Sequence, residues 1–374
     1  MSVIVELGSY YPPHRGGIEN NIKLCAEAFS ESHKVSVVVS NTFRKMETEI
    51  ADGIEIYRCP SYGKIWSQEL TTKIVKTINS IGPDIIHYHH PNFICLYVAL
   101  YYARYIPIMI THHLDITKQK FLTPLYFFAY KRLLKLAKGI MVYTENYARS
   151  SHELNGFLEK IEIVPHGIGE ESLRIDHIST RELRKLSEQF GNRGFTVLYV
   201  GRLVRHKGLR KLISAIARLP EAQLLVAGEG PELRPCIKMA KDLRISSRVH
   251  FIGKVSESMK KALYRFSDAF VLPALTRAEA FGQVLVEAQL CRLPIVTTDI
   301  GTGTSEIALD GRAGFVVERG NVEELVGALK QLYSNKDKRQ RMIELAYTNA
   351  RRRYSREIVV PKLIKFLEKC LRIL

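Results

Sequence analysis

Short apolar runs recur along the chain, each followed by a polar or Gly/Pro-rich stretch and then by residues with helical periodicity. In the first half the runs Val3–Gly8, Val35–Val39, Ile54–Tyr57, Asp84–Tyr88, Ile108–Thr111 and Ile140–Tyr143 read as buried strands, being rich in β-branched residues and bounded by turn formers. Helical patterns lie between most of them. The clearest, Ile18–Phe29, places Ile22, Cys25, Ala26 and Phe29 on one face. The second half restarts the alternation with FTVLYVGR ending at Arg202, a polar loop and a helix over Leu209–Leu219. Further strands follow at Gln223–Ala227, Val249–Ile252, Ala269–Leu272 and Ile295–Thr298, and the chain closes on helical segments Val322–Leu332, Asp337–Arg353 and Ile358–Leu371. Strand–helix alternation predicts parallel sheets covered by helices. The expected fold class is therefore α/β, with two similar halves joined near Gly167–Gly194 and a cleft between them.

Composition narrows this picture. A chain of 374 residues accommodates two domains, and 46% hydrophobic with 25% charged residues matches a soluble globular enzyme. Six scattered cysteines without a C-x-x-C pair point to neither a zinc site nor a disulfide framework, and they read as reduced core thiols. The longest apolar run, Phe93–Ala103, stops at Arg104 and is too short to span a bilayer. The first strand pattern starts at Val3, which leaves no room for a signal peptide. The expected location is the cytoplasm or the cytoplasmic face of a membrane. The net charge is +17, of which residues 1–165 account for only +3. The basic excess of the second half fits nucleic acid, anionic lipid or a plain solvated face, and charge alone does not choose among them.

The candidate chemistry begins with Ala278–Pro294, AEAFGQVLVEAQLCRLP. Glu279 precedes Glu287 by eight residues, Phe281-Gly282 lies between them, and a helical pattern starts at about Gly282, with Val284, Leu285, Ala288 and Cys291 on an apolar face. The N-terminus of a helix offers unpaired N–H groups to a phosphate, and carboxylates beside it accept hydrogen bonds from hydroxyls. Polyol plus phosphate describes a nucleotide sugar. Arg202 and Lys207 lie five positions apart on the loop after a strand, where a guanidinium fork and an ammonium can both reach a diphosphate. The loop His14-Arg15-Gly16-Gly17-Ile18-Glu19 follows the first strand and allows close backbone approach at a helix start. A dinucleotide dehydrogenase would carry G-x-G-x-x-G there. Neither Gly8 nor Gly201 opens such a run, and Gly228-Glu229-Gly230 lacks the third glycine.

Histidines gather at two strand ends, His87, His89 and His90, then His112 and His113. His87 and His89 share a strand face, as metal ligands would, but only Asp84 and Asp115 accompany them, and the reading here is no metal. Thr123-Pro124 opens a helix to about Ala137 in which Lys131, Lys135 and Lys138 form a basic stripe. That stripe suits a membrane interface, or equally a core helix with a solvated edge.

Taken together, Glu-x7-Glu with its Phe-Gly, G-R-x4-K-G at Gly201–Gly208, the Gly-Thr-Gly-Thr-Ser run at 301–305 and Thr111-His112-His113-Leu114-Asp115 resemble the retaining glycosyltransferases of family 4. The resemblance covers residues 2–372 and is most specific in the second half. Ile163–Ile168 resembles that family's hinge strand, with His166 in place of the usual Asn and Gly169 where Asp is common. The resemblance implies the GT-B fold, two Rossmann-like domains: 1–165 with the C-terminal helix of about 356–374 on the acceptor side, and 166–355 for the nucleotide sugar. Leu363, Phe366, Leu367 and Cys370 give that last helix a face suited to packing on the first domain.

It also implies roles. His113, or its neighbour His112, approaches the reacting sugar; Glu279 contacts the donor sugar; Arg202 and Lys207 neutralise the departing diphosphate; and Glu287 takes the ribose hydroxyls. Gly16, Gly17, Val255, Phe281, Gly282 and Gln283 complete the donor site, with the loop at Lys254-Val255 reaching the base through backbone groups. Transfer would retain configuration by front-face attack. No D-x-D occurs in the chain, which fits donor binding without a metal or other cofactor. The expected partners are a nucleotide sugar, a glycan or lipid-linked acceptor and an anionic membrane surface, toward which the family tips the basic helix, but not nucleic acid. A nucleotide-sugar epimerase on the same scaffold and a non-catalytic sugar-nucleotide binder are the alternatives.

Overall fold

The β-branched runs form two separate sheets. The computed structural model describes all residues except 15, 66–67, 117–122, 169–179, 192–193 and 373–374. Arg15 of the glycine loop and Gly169 therefore lie outside the described residues. The chain divides into two units, Met1–Gly167 with Arg356–Leu374, and Ile168–Ser355.

The first unit carries strands β1 (Val3–Leu7), β2 (Lys34–Ser40), β3 (Glu47–Ala51), β4 (Ile54–Cys59), β5 (Ser61–Ile65), β6 (Gln68–Thr71), β7 (Ile85–His90), β8 (Ile108–His112), β9 (Gly139–Val142) and β10 (Ile161–Ile163). Its helices are α1 (Gly17–Ser30), α2 (Ile74–Ile81), α3 (Phe93–Tyr102), α4 (Thr123–Leu136) and α5 (Glu145–Ser150), together with the C-terminal helix Arg356–Arg372. The main sheet runs β10-β9-β8-β7-β1-β2-β4-β3 and is parallel throughout except for β3, which pairs antiparallel with β4. β3 has no apolar run because every residue of it is exposed at the sheet edge. β5 and β6 form a separate hairpin.

Side chains alternate between the faces of a strand, and β1 divides its core accordingly. Val5 and Leu7 join a cluster with residues of α3 and α4, including Leu96, Tyr130 and Leu133. Ile4 faces the other way, onto Ile22, Cys25 and Phe29 of α1 and onto Val359, Leu363, Phe366, Leu367 and Cys370 of the C-terminal helix. Gly139 opens β9 directly beneath that helix. A Cβ there would stand 2.7 Å from the Phe366 ring and 2.8 Å from Cys370 Sγ, so the close approach requires glycine.

The second unit carries β11 (Phe195–Val200), β12 (Ala222–Ala227), β13 (Val249–Gly253), β14 (Ala269–Leu272), β15 (Ile295–Asp299) and β16 (Phe315–Glu318) in the order β13-β12-β11-β14-β15-β16, all parallel. Its helices are α6 (Thr180–Phe190), α7 (Leu209–Ala217), α8 (Leu233–Asp242), α9 (Glu257–Phe266), α10 (Gln283–Leu290), α11 (Gly303–Ile307), α12 (Val322–Ser334) and α13 (Lys336–Tyr354). Strand order reverses at β11, between β12 and β14, as it does at β1 in the first unit. Loops leaving the carboxyl ends of strands on either side of such a reversal diverge and leave a crevice, where ligands of open α/β sheets bind.

The C-terminal helix is held mainly by its apolar face. Phe366 is 1% exposed, and Phe366→Ala should lower unfolding stability by about 3–5 kcal/mol, seen as a drop in the urea midpoint of the first unit.

Candidate functional site

In the second unit the site is built at the β11/β14 reversal. The loop after β11 carries Arg202 and Lys207 and turns at Gly208, whose φ is +76°. A Cβ at Gly208 would fall 1.8 Å from the Pro273 carbonyl oxygen, so only glycine lets this loop lie against the one after β14. The two are tied by Leu275 N donating to the His206 carbonyl at 2.7 Å. This brings Lys207 Nζ to 2.8 Å from Glu279 Oε2, with both side chains largely buried. The loop 301–304 clamps the same segment: Thr302 Oγ1 donates to the Glu279 carbonyl at 2.8 Å, and Gly303 N to that of Ala280 at 3.0 Å.

Phe281 is buried edge-on to Tyr354. Gly282, at φ +86°, then caps α10, whose first residue is Gln283. The helix is short and buried almost all round, which corrects the expected single apolar face. Leu285, Val286, Glu287, Ala288, Gln289 and Leu290 are all buried, whereas Val284 is only partly so. Glu287 is accordingly an interior carboxylate. It pairs with Lys260 Nζ at 3.0 Å and accepts from Tyr264 Oη at 3.1 Å. Burial alone would lower the Lys260 ammonium, but Glu287 and Glu257 hold it above its ordinary range. Lys260 and Tyr264 were not foreseen in the sequence, although their i, i+4 spacing behind the Ser256 cap puts them on one face of α9. Arg202 is exposed and makes no ion pair among the described residues. Val255 is half-buried just past β13. The structure thus gathers Lys207, Glu279, Phe281, Gly282 and Gln283 around the start of one helix, with Glu287 one turn deeper.

The first unit presents a buried polar chain at its own reversal. Glu6 of β1 is fully buried and binds His87 Nδ1 at 3.0 Å and His89 Nε2 at 2.5 Å. His89 Nδ1 meets His113 Nε2 at 3.0 Å, and His113 Nδ1 meets the Tyr143 hydroxyl. His112 points elsewhere, to Tyr130 Oη at 2.7 Å and Asp115 Oδ1 at 3.1 Å. Both histidines of the Thr111–Asp115 segment are buried, and only His113 joins the chain that starts at Glu6. Burial lowers His113 well below the usual histidine range, reinforced by the charges of His89 and His166. The glycine loop enters α1 at Gly17, with Gly16 as the preceding extended residue. His166, standing at the usual asparagine position, donates from Nε2 to the Gly17 carbonyl at 3.1 Å.

No helix among the described residues is long and apolar enough to cross a membrane. All six cysteines are free and buried.

Comparisons with known proteins bear on this arrangement. Residues 181–349 match the family model for glycosyl transferases group 1, and residues 15–172 match that for glycosyltransferase family 4. An O-antigen chain mannosyltransferase of Escherichia coli is 29% identical over 370 residues, covering 97% of this chain and 96% of that one. A D-rhamnosyltransferase of Pseudomonas aeruginosa is 30% identical over 259 residues, 69% of this chain and 66% of its own. Among solved structures, Anabaena HepE in complex with UDP has a TM-score of 0.77 at 19% identity, covering 98% of this chain and 100% of that chain, a likeness of fold.

The Glu6 chain makes the first unit acid-sensitive. Burial, with the charge of His87, lowers His89 to about 4, although Glu6 pulls it upward. Burial alone would raise Glu6, but the charge and hydrogen bonds of His87 and His89 hold it at about 2. The unfolded chain takes up these protons near their ordinary values, about 6.5 and 4.5, before the folded chain does. Stability contributed by His89 is therefore complete above about pH 6.5 and lost toward about 4, and that of Glu6 is lost between about 4.5 and 2. Urea midpoints measured from about pH 7 down to about 4 should fall steadily; a flat profile would contradict the assignment.

Proposed function

The chain belongs to the GT-B glycosyltransferases of the family 4 type, and from that premise we propose that it moves a hexose from a nucleoside-diphosphate sugar to a glycan or lipid-linked acceptor, with retention, during assembly of a cell-surface glycan or glycolipid. The observation that carries this reading is the Lys207–Glu279 pair at 2.8 Å beside the start of α10. An ammonium and a carboxylate side by side, next to free helix N–H groups, match the junction of a diphosphate and a sugar. On donor binding Lys207 exchanges its carboxylate partner for phosphate oxygens, and Glu279 becomes free to accept from a sugar hydroxyl. Arg202, exposed on the same loop, adds a fork to the diphosphate. Glu287 accepts from the ribose, held in place by Lys260 and Tyr264.

Bond breaking leaves negative charge on the diphosphate and positive character on the sugar. Lys207, Arg202 and the α10 N-terminus stabilise the first without requiring a metal in the donor site. His113 is assigned to the reacting sugar by the T-x-H-x-D match, its neutral ring oriented through His89 by Glu6. The backbone around Val255 adds donor contacts on the second unit, and the family resemblance alone assigns a donor role to Gly16-Gly17. The relatives' names speak for a transferase with an acceptor, and neither an epimerase nor a non-catalytic binder is favoured. Since the E. coli relative is named a mannosyltransferase, a mannosyl donor is the first to try.

The membrane reading rests on α4. Leu125 and Phe128 are 57% and 70% exposed on a face that also carries the exposed Lys131, Arg132 and Lys135. Exposed Tyr101 and Tyr105 lie at and just beyond the end of α3, which packs on α4. Apolar tips beside a row of cations suit an anionic lipid surface.

Thermal unfolding with GDP, UDP, ADP and their hexose conjugates tests the donor site. The cognate nucleotide, at about a hundred times its dissociation constant, should stabilise by about 2.7 kcal/mol, and Lys207→Ala should lose most of that gain. If no nucleotide stabilises the folded protein, the reading fails. Sedimentation with phosphatidylglycerol vesicles tests the membrane face. At about 1 kcal/mol per cation near the surface, reversing Lys131, Arg132 and Lys135 to Glu should weaken binding by at least about 3 kcal/mol, and equal sedimentation of variant and wild type would remove α4 from the interface.

A further inference from the structure

We propose that His90, His112 and Glu153 form a binding site for one divalent transition-metal ion of the zinc type. The inference goes beyond the transferase reading and does not rest on it. The three side chains are buried, and one ligand atom from each lies within 4.8 Å of the others. His90 Nε2 stands 3.0 Å from Glu153 Oε2, yet neither atom has a hydrogen-bond partner. A carboxylate oxygen sealed from water without a donor is costly, and a shared cation supplies what both atoms lack.

The surroundings fix which nitrogen faces inward. His90 Nδ1 is engaged by the Tyr126 hydroxyl at 3.1 Å and His112 Nδ1 by that of Tyr130 at 2.7 Å. Each ring therefore has its Nδ1 occupied and its Nε2 turned toward the carboxylates, the arrangement by which outer partners orient metal-binding histidines. Asp115 Oδ1 lies 3.1 Å from His112 Nε2 and accepts from Ser151 Oγ at 2.5 Å, which makes it the natural fourth donor. Two imidazoles with carboxylate oxygens suit zinc and its neighbours, whereas calcium and magnesium prefer oxygen alone. The second cluster of this kind, Glu6, Cys25 and His87, lacks the vacant donors: both Glu6 oxygens are taken by histidines, and Cys25 Sγ contacts Asn21.

The strand register explains why the sequence concealed the site. His90 and His112 are direct neighbours across the parallel pair β7/β8, while Glu153 arrives from beyond α5. The metal-free reading of the histidines looked at His87 and His89, which share a face with each other and not with His90. An ion here would lock the ends of β7 and β8 to residues 151–153, one position before His113. It would act as a positioning device and not as a reactant.

Chelator-treated, refilled protein tests the site directly. Equilibrium dialysis against Zn2+ with elemental analysis should find one ion per chain, and Co2+ in its place should show the visible absorption of a low-symmetry N/O site. Glu153→Gln, near-isosteric and checked for folding by circular dichroism, should abolish uptake. Tyr130→Phe, which keeps all the ligands, should weaken it about 10- to 100-fold. Lys207→Ala should bind the ion as wild type does, which separates this result from any failure of the donor site. Absence of stoichiometric uptake by folded wild type, or uptake unchanged in Glu153→Gln, overturns the proposal.

Discussion

A carbonyl oxygen decides where Lys207 stands. The Pro273 carbonyl lies so close to Gly208 that no Cβ fits between them, and through that contact the loop after β11 is pressed onto the loop after β14. The ion pair of Lys207 with Glu279 follows, because both loops leave neighbouring strands at the point where the order of the sheet reverses. The clamp from Thr302 and Gly303 then fixes the backbone of Glu279 and Ala280, so the approach to α10 is set before any ligand arrives. Preformed charge of this sort costs little reorganisation when negative charge develops beside it.

The first unit solves a different problem. It buries an ionised carboxylate, Glu6, in the middle of its sheet, and the desolvation of that group is offset by imidazoles on the adjacent strand. The same strand then hands the polar chain on to His113 through His89. Polar interiors are stabilising only when every member has a partner, and this chain is satisfied from Glu6 to Tyr143. The neighbouring group around Glu153 is not, and that contrast singles it out.

Much of this was legible in the sequence. Most strands with an apolar run were found, because burial on both faces of a parallel sheet leaves a continuous hydrophobic signature; β16 was missed, its run Phe315–Val317 being short and only partly buried at the sheet edge. Glu279, Glu287 and Lys207 were visible as charged residues placed against such strands and helices. β3 was missed since an exposed antiparallel edge strand needs no apolar residues, and β5 and β6 were missed as a small hairpin apart from either main sheet. Lys260, Tyr264 and Glu153 escaped for a separate reason: they act on residues far away in the chain, through register and tertiary packing that no local pattern encodes. The expected apolar stripe on α10 failed in the same way, since a helix surrounded by protein on all sides has no preferred face.

The C-terminal helix carries a consequence for how the molecule is made. Phe366, Leu367 and Cys370 fill the core over β1, α1 and β9, yet the ribosome delivers them only after the whole of the second unit. The nascent first unit must therefore wait with the part of that face beside α1 uncovered while residues 168–355 emerge and fold. Translation order and folding order are opposed: the part synthesised first is the part completed last, and its exposed apolar face is the surface a chaperone on the nascent chain would have to shield.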